Sequence, residues 1–169
     1  MERPYIAIPL GDPAGIGPEI VLKTLAEQEI VDIAKCVVVG DAKVLKNAMT
    51  FPGIPRLEIK VIDQPEEGDY SAGMLNLIDL DNIDMAKFPI GQVDGMCGKA
   101  AYEYIAKCIE LANARKVAAV STTPVNKESF KAGGVNFIGH TEIFGALTGT
   151  PDPLTLFEVH GMRVFFLTR

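Results

Sequence analysis

Apolar residues fall along this chain in short blocks separated by amphipathic stretches and by glycine, proline and acid-rich breaks. Residues 5–10 form an apolar run that predicts a strand, broken at Gly11-Asp12-Pro13. From Pro18, whose missing N–H loses nothing at a first helical position, Ile20, Val21, Leu25 and Ala26 fall on one side and predict a helix. Residues 36–39 predict a second buried strand ended by Gly40, and Asp41 is placed to cap a short helix through Met49. Residues 51–55 are a proline–glycine turn. Residues 57–61 alternate with period two, so this strand has one wet face and belongs nearer a sheet edge. The acid-, proline- and glycine-rich stretch 63–73 is a surface loop whose charges serve solvation. Residues 75–80 predict another strand, and Pro89, Gly91, Gly95 and Gly98 predict an irregular connection over 81–98.

The clearest helix is predicted over 99–115. Ala101, Tyr104, Ile105, Cys108, Ile109, Leu111 and Ala112 make its apolar face, Glu103 and Lys107 are spaced to pair, and Arg115-Lys116 suit its negative end. Residues 117–120 then predict a buried strand that opens abruptly into Ser121-Thr122-Thr123-Pro124. A turn of helix is predicted over 127–131 before Gly133-Gly134, and a second short helix over 141–147 that stops at Gly149. Residues 154–159 and 163–168 are strand-like and joined by His160-Gly161, a tight hairpin in which His160 is structural. The second run, Val-Phe-Phe-Leu, lacks a covering element, which predicts an incomplete molecule or an obligatory partner. Strand and helix succeed one another in the manner of an α/β fold.

Composition narrows the picture. A chain of 169 residues can bury one core, or one domain plus part of another, and a net charge of −6 argues against nucleic-acid binding. No apolar stretch approaches the roughly 20 residues that span a bilayer, and the run after Met1-Glu2-Arg3-Pro4 is too short for a secretory signal. Cys36, Cys97 and Cys108 are odd in number and lack Cys-x-x-Cys spacing; Cys36 and Cys108 read as small core residues, and a reducing, cytoplasmic setting is expected.

Candidate chemistry gathers at two places. The run 117–120 delivers its loop to the carboxyl end of a strand, where open α/β sheets bind ligands. There Lys127 offers a point charge, His140 a ring that can carry a proton, and Thr141 a hydroxyl that donates and accepts. A helix starting near His140 adds its positive end. Together these suit an anionic, hydroxylated small molecule; the plainer alternative is a capped loop with Lys127 in solvent. At the other place, a strand, a glycine-rich turn and a helix can aim backbone N–H groups at an anion, with Asp12 as the side chain able to reach a site; taken alone, the loop is equally well a structural turn. The glycines fall at 11, 15 and 17, which is neither G-x-G-x-x-G nor a P-loop, so neither a Rossmann nor a Walker site is supported.

Thr-Pro-Val-Asn-Lys (123–127), Ala132-Gly133, Gly-His-Thr-Glu (139–142) and Gly-Asp-Pro-Ala-Gly-Ile-Gly-Pro-Glu (11–19) together resemble the 4-hydroxythreonine-4-phosphate dehydrogenase family, and residues 102–112 are similar to its central helix. The resemblance covers the amino-terminal half of proteins about twice this length. It implies a three-layer α/β fold of the isopropylmalate and isocitrate dehydrogenase type, with a first domain over 1–125 and the start of a cleft-forming second domain over 126–169. It implies a homodimer that uses NAD or NADP and a divalent metal (Zn, Mg, Mn or Co). The substrate would be a small phosphorylated hydroxy acid: 4-phosphohydroxy-L-threonine, oxidised and decarboxylated on the route to pyridoxal phosphate, or a four-carbon sugar-acid phosphate (threonate or erythronate 4-phosphate). His140 and Thr141 match substrate-binding positions, while Lys127, Asn126 and Asp12 match motif positions expected to be catalytic or to contact substrate. The metal-holding histidines are expected beyond Arg169, so no metal site is expected within the chain and the 169 residues alone are expected to be inactive. A third reading is a non-catalytic phosphate-binding or dimerising module.

Overall fold

The computed structural model describes residues 2–166. Five strands form one parallel sheet: β1 (Tyr5–Pro9), β2 (Lys35–Gly40), β3 (Glu58–Val61), β4 (Met74–Asp79) and β5 (Ala119–Val120), in the order β3-β4-β2-β1-β5. Each predicted strand of this sheet is present, but the run expected as a buried strand over 117–120 pairs only through Ala119, exposed, and Val120, half-buried, at the sheet edge. The alternating β3 is at the edge and the apolar β2 is buried in the middle, because only a central strand is dry on both faces. The order reverses at β1. The chain leaves it through β2 on one side and returns as β5 on the other, which makes the carboxyl ends of β1 and β5 the switch point of the sheet.

Helices α1 (Gly17–Leu25), α2 (Gln28–Ile33), α3 (Ala42–Ala48) and α4 (Gly95–Asn113) accompany the sheet, and α5 (Lys127–Ala132) and α6 (His140–Thr148) follow β5. The inward face of α1 is Val21, Leu22 and Leu25, whereas the expected Ile20 and Ala26 are exposed, and α2 carries no buried residue, which is why the apolar pattern did not announce it. The Asp41 cap is present: one carboxylate oxygen accepts from the N–H of Lys43 (2.8 Å) and of Val44 (3.4 Å), and the other from Ile83 (2.9 Å). This fully buried acid at the end of β2 is thus consumed in structure.

The central helix departs from expectation at its start. It begins at Gly95, not at residue 99, with Asp94 as its cap through the N–H of Cys97 (3.0 Å). Gly95 and Gly98 read as breakers but are close-approach positions. A Cβ on Gly98 would lie 1.9 Å from the carbonyl oxygen of Ser129, and one on Gly95 2.6 Å from that of Ala132. The expected Glu103–Lys107 pair is replaced by Lys99–Glu103 (3.8 Å) and Lys107–Glu110 (2.8 Å), while Glu103 also accepts from Asn82 (2.6 Å).

α4 is buried on two sides. Cys97, Ala100, Tyr104, Cys108 and Leu111 join the core beneath the sheet, and Ala101, Ile105 and Ile109 form a second core with Phe130 of α5 and Ile143 of α6. Each such large side chain contributes about 2 kcal/mol on burial, so α5 and α6 are held to the sheet domain through this helix. Beyond Gly149, left-handed as a helix terminator should be, lies the hairpin β6 (Leu156–Val159) and β7 (Met162–Phe165). Its turn, His160-Gly161, has φ of 47° and 81°, the two-residue geometry that favours such hairpins. The expected continuation of β7 to Thr168 lies outside the described residues. Among the described residues no helix is long and apolar enough to cross a membrane.

Candidate functional site at the switch point

Two clefts open at the carboxyl ends of β1 and β5 and share Pro124 and Val125 as a common wall. The larger, about 590 Å³, is lined by Lys127, Ile138, Gly139, His140, Thr141, Glu142 and Thr155 as well as the shared wall. The smaller, about 310 Å³, is lined by Asp12, Ala14, Gly15, Ile16, Gly91, Gln92, Val93 and Asn126. The sequence-predicted residues therefore split: Lys127, His140 and Thr141 meet in one cleft, Asp12 and Asn126 in its neighbour. A tighter cavity among Leu25, Cys36, Tyr70 and Met74, about 20 Å³, has room for no more than a water.

In the larger cleft, His140 and Thr141 are the first two residues of α6, and Gly139 in extended conformation precedes them. The first-turn N–H groups of such a helix have no intrahelical partner and favour negative charge. His140 is half-buried, and its Nε2 is buried with no hydrogen-bond partner among the described residues. Burial pushes the ring pKa below 6.5, partly opposed by a hydrogen bond to the Thr123 backbone, so the ring is neutral near pH 7. Thr141 is exposed in the cleft, and Glu142 accepts from the N–H of Ile138 (2.7 Å), holding the strand of chain that enters α6. Lys127 is the first residue of α5, a position where a cation opposes the helix dipole, so its placement makes more sense for a ligand than for the helix. Asn126 caps that helix by accepting from Glu128 (3.0 Å) and Ser129 (3.3 Å), which commits its carbonyl and leaves its amide N–H groups for the cleft.

In the smaller cleft, Asp12 is 4% exposed and accepts from the N–H of Ala14 (2.9 Å). Burial raises its pKa above 3.8, with hydrogen bonds from Ala14 and Ser129 pulling the other way. The loop is pinned to its neighbour: Asp12 N–H donates to Pro124 (3.1 Å) and Thr123 Oγ1 donates to Pro9 (2.6 Å). Gly11, at φ 76°, has no alternative residue, since a Cβ there would lie 2.4 Å from Thr123 Oγ1. Gly17 likewise packs against the Leu10 carbonyl, 2.2 Å from an added Cβ. Gly11 and Gly17 thus serve packing, while Gly15 stays exposed with room for a Cβ. Sequence reasoning missed Ser129, fully buried, and Thr123 and Asp94, because polar residues used for packing carry no periodic signal.

An open parallel sheet with two clefts at its switch point defines an α/β protein of the class that places ligand sites at strand ends. The chain belongs to the family of the pyridoxal phosphate biosynthetic protein PdxA, whose profile matches residues 32–169. It is 59% identical over 167 residues to a protein of Fusobacterium nucleatum provisionally named D-threonate 4-phosphate dehydrogenase, covering 99% of this chain and 50% of that relative. A protein of Clostridium botulinum with the same provisional name is 54% identical over 168 residues, with the same coverage of 99% and 50%. The crystal structure of a 4-hydroxythreonine-4-phosphate dehydrogenase from Burkholderia phymatum superposes with a TM-score of 0.90 at 37% identity, covering 98% of this chain and 49% of that one. The chain thus spans about half the length of the curated relatives it matches.

Proposed function

We propose that this chain is the amino-terminal half of a cytoplasmic, homodimeric dehydrogenase that oxidises a carbinol of a phosphorylated four-carbon hydroxy acid, with D-threonate 4-phosphate as its first substrate. The observation that carries the reading is the convergence of Lys127, His140 and Thr141 on one cleft at the start of α6. An anionic group of the substrate accepts from the α6 N–H groups and the Thr141 hydroxyl, with Lys127 adding charge. His140, whose ring is kept neutral near pH 7 by burial, stands at the start of α6 beside the same group; a bound anion favours the protonated ring, so binding takes up a proton as pH falls toward its lowered pKa.

NAD or NADP would supply the hydride acceptor, and a divalent metal would polarise the reacting hydroxyl. The residues described do not fit either group. No cluster of three or more His, Cys, Asp or Glu side chains able to hold a metal occurs among them, and the larger cleft offers a single imidazole. Gly11 and Gly17 are consumed in close packing, and Asp41 is buried under backbone donors. This chain's own residues bind and orient the substrate.

A second reading, 4-phosphohydroxy-L-threonine as substrate, is supported by the 0.90 TM-score to proteins so named. The two substrates differ at carbon 2, a hydroxyl against an ammonium. The 59% identity to a D-threonate 4-phosphate dehydrogenase favours the hydroxyl form. The test is a panel of D-threonate, D-erythronate and 4-hydroxythreonine phosphates on the full-length protein, with each nicotinamide cofactor and divalent cation. The highest kcat/KM is expected on D-threonate 4-phosphate, and Thr141→Ala should lower it roughly 10- to 100-fold, as removal of a hydrogen bond to a charged group does. A folded protein that turns over none of them sinks the reading.

A further inference from the structure

Glu142 is the one carboxylate that lines the larger cleft, and its hydrogen bond goes to an unexpected place. As the third residue of α6 it stands where an acid ordinarily reaches back to the helix cap. Its Oε2 instead accepts from the N–H of Ile138 (2.7 Å), one residue before the Gly139 cap. Gly139 brings no side-chain oxygen of its own, so no side chain caps the first turn and its N–H groups stay free for a ligand. The bond also closes the short turn that carries His140 and Thr141. Phe137 is anchored just upstream by its stack on Tyr102 of α4 (5.8 Å), and Ile143 just downstream by complete burial. Ile138 between them is 66% exposed, so the carboxylate rather than packing fixes its backbone.

The same carboxylate sets the charge of the cleft. The titratable side chains lining it are Lys127, His140 and Glu142: one cation, one ring that burial keeps neutral near pH 7, and one anion. They cancel, which leaves the α6 N–H groups and the Thr141 hydroxyl to attract an anion. A helix start is equivalent to about half an elementary charge. That suits a single negative charge and falls short of a phosphate dianion beside a fixed carboxylate. We propose that Glu142 is a positioning and specificity-determining residue: it holds the turn that presents Thr141, and its charge reserves the start of α6 for the singly charged carboxylate of the sugar acid, excluding the phosphate. The proposal rests on the substrate reading above and deepens it, by stating which end of the ligand the cleft takes. Exclusion by a built-in repulsive group is a general route to specificity.

The experiment is calorimetric titration of full-length wild type, Glu142→Gln and Glu142→Ala with D-threonate 4-phosphate and two analogues. One is D-threonate, which lacks the phosphate; the other is D-threonamide 4-phosphate, in which a neutral amide replaces the carboxylate. Glutamine keeps an acceptor for the Ile138 N–H and removes the charge. Glu142→Gln is therefore expected to tighten D-threonate 4-phosphate about threefold at low ionic strength, a gain that about 0.5 M salt abolishes. Glu142→Ala removes the charge and the acceptor together, and should bind about fivefold more weakly than Glu142→Gln, the worth of one neutral hydrogen bond. Glu142→Gln should at the same time lower the thermal midpoint slightly, since a first-turn acid stabilises its helix; a residue kept for stability alone would lose affinity with it. The Glu142→Gln gain should persist on D-threonate and vanish on D-threonamide 4-phosphate, and either analogue decides where the other binds too weakly to measure. No gain in Glu142→Gln, a gain on the amide equal to that on the acid, or equal affinities of the two variants overturns the proposal. The substrate reading would survive each of these, because turnover of D-threonate 4-phosphate by wild type would stand. Failure of wild type to bind or oxidise D-threonate 4-phosphate overturns both.

Discussion

Asp12 is buried and His140 half-buried, and their effects on stability run in opposite directions. The folded chain holds the Asp12 proton at higher pH than the unfolded chain, which releases it near 3.8. Between those values the native state binds more protons, so this group adds stability as pH falls and subtracts it at neutral pH, where a charge is buried. His140 titrates below 6.5 when folded, so stability is lost as pH falls from 6.5 through the lowered value. Asp12→Asn is therefore expected to raise stability at pH 7 by about 1 kcal/mol while impairing ligand binding, the usual exchange at a functional site. Urea unfolding at pH 7 and pH 4.5 would show it: the gain should shrink at the lower pH. An equal gain at both would mean that the effect is not electrostatic.

Among the elements, α4 decides where everything after β5 goes. Its first turn is shaped by Gly95 and Gly98, and Gly133 closes against it from α5, with an added Cβ 2.4 Å from the Gly95 carbonyl. These contacts hold the Ser129 backbone against Gly98 and so fix α5, whose Asn126 cap lines the smaller cleft and whose Lys127 lines the larger. Gly98→Ala should cost about 3 kcal/mol, at the upper range for overpacking a closed contact between backbones, and should loosen the Asp12 loop. Denaturant midpoints measure the first effect and hydrogen exchange at residues 11–16 the second. A loss below about 0.5 kcal/mol would show that α5 docks less tightly than the geometry says. The sequence made these glycines look like breaks, since a glycine needed for close approach and one that ends a helix are the same letter.

At the scale of the whole molecule, the hairpin is the part whose burial is unfinished. The register places Phe157, Val159, Met162 and Val164 on one face, extended by Phe166, whose ring meets Phe157 at 5.2 Å; all five are more than 40% exposed. The opposite face carries the Glu158–Arg163 pair (3.1 Å) beside the Leu156–Phe165 pair. An apolar sheet face of this kind binds hydrophobic dyes and associates. The 169-residue chain is expected to bind anilinonaphthalene sulfonate and to sediment in a concentration-dependent manner, and Phe157→Lys combined with Val164→Lys should abolish both. Unchanged dye binding would place the exposed surface elsewhere.

Local chemistry was enough to locate every strand, the Asp41 and Gly149 helix limits, the His160-Gly161 turn, and the segment holding Lys127, His140 and Thr141. Those features depend on apolar periodicity, capping and backbone freedom, all of which act over a few residues. The quoted motifs likewise led to the PdxA family. Tertiary structure alone decided the strand order that makes β1 and β5 neighbours, the division of the site residues between two clefts, and the start of α4 at Gly95. It also decided that Asp41 would be spent on backbone donors, among them the N–H of Ile83, 42 positions further along the chain. Contacts of that kind depend on which surfaces fold against each other, and no spacing along the chain encodes them.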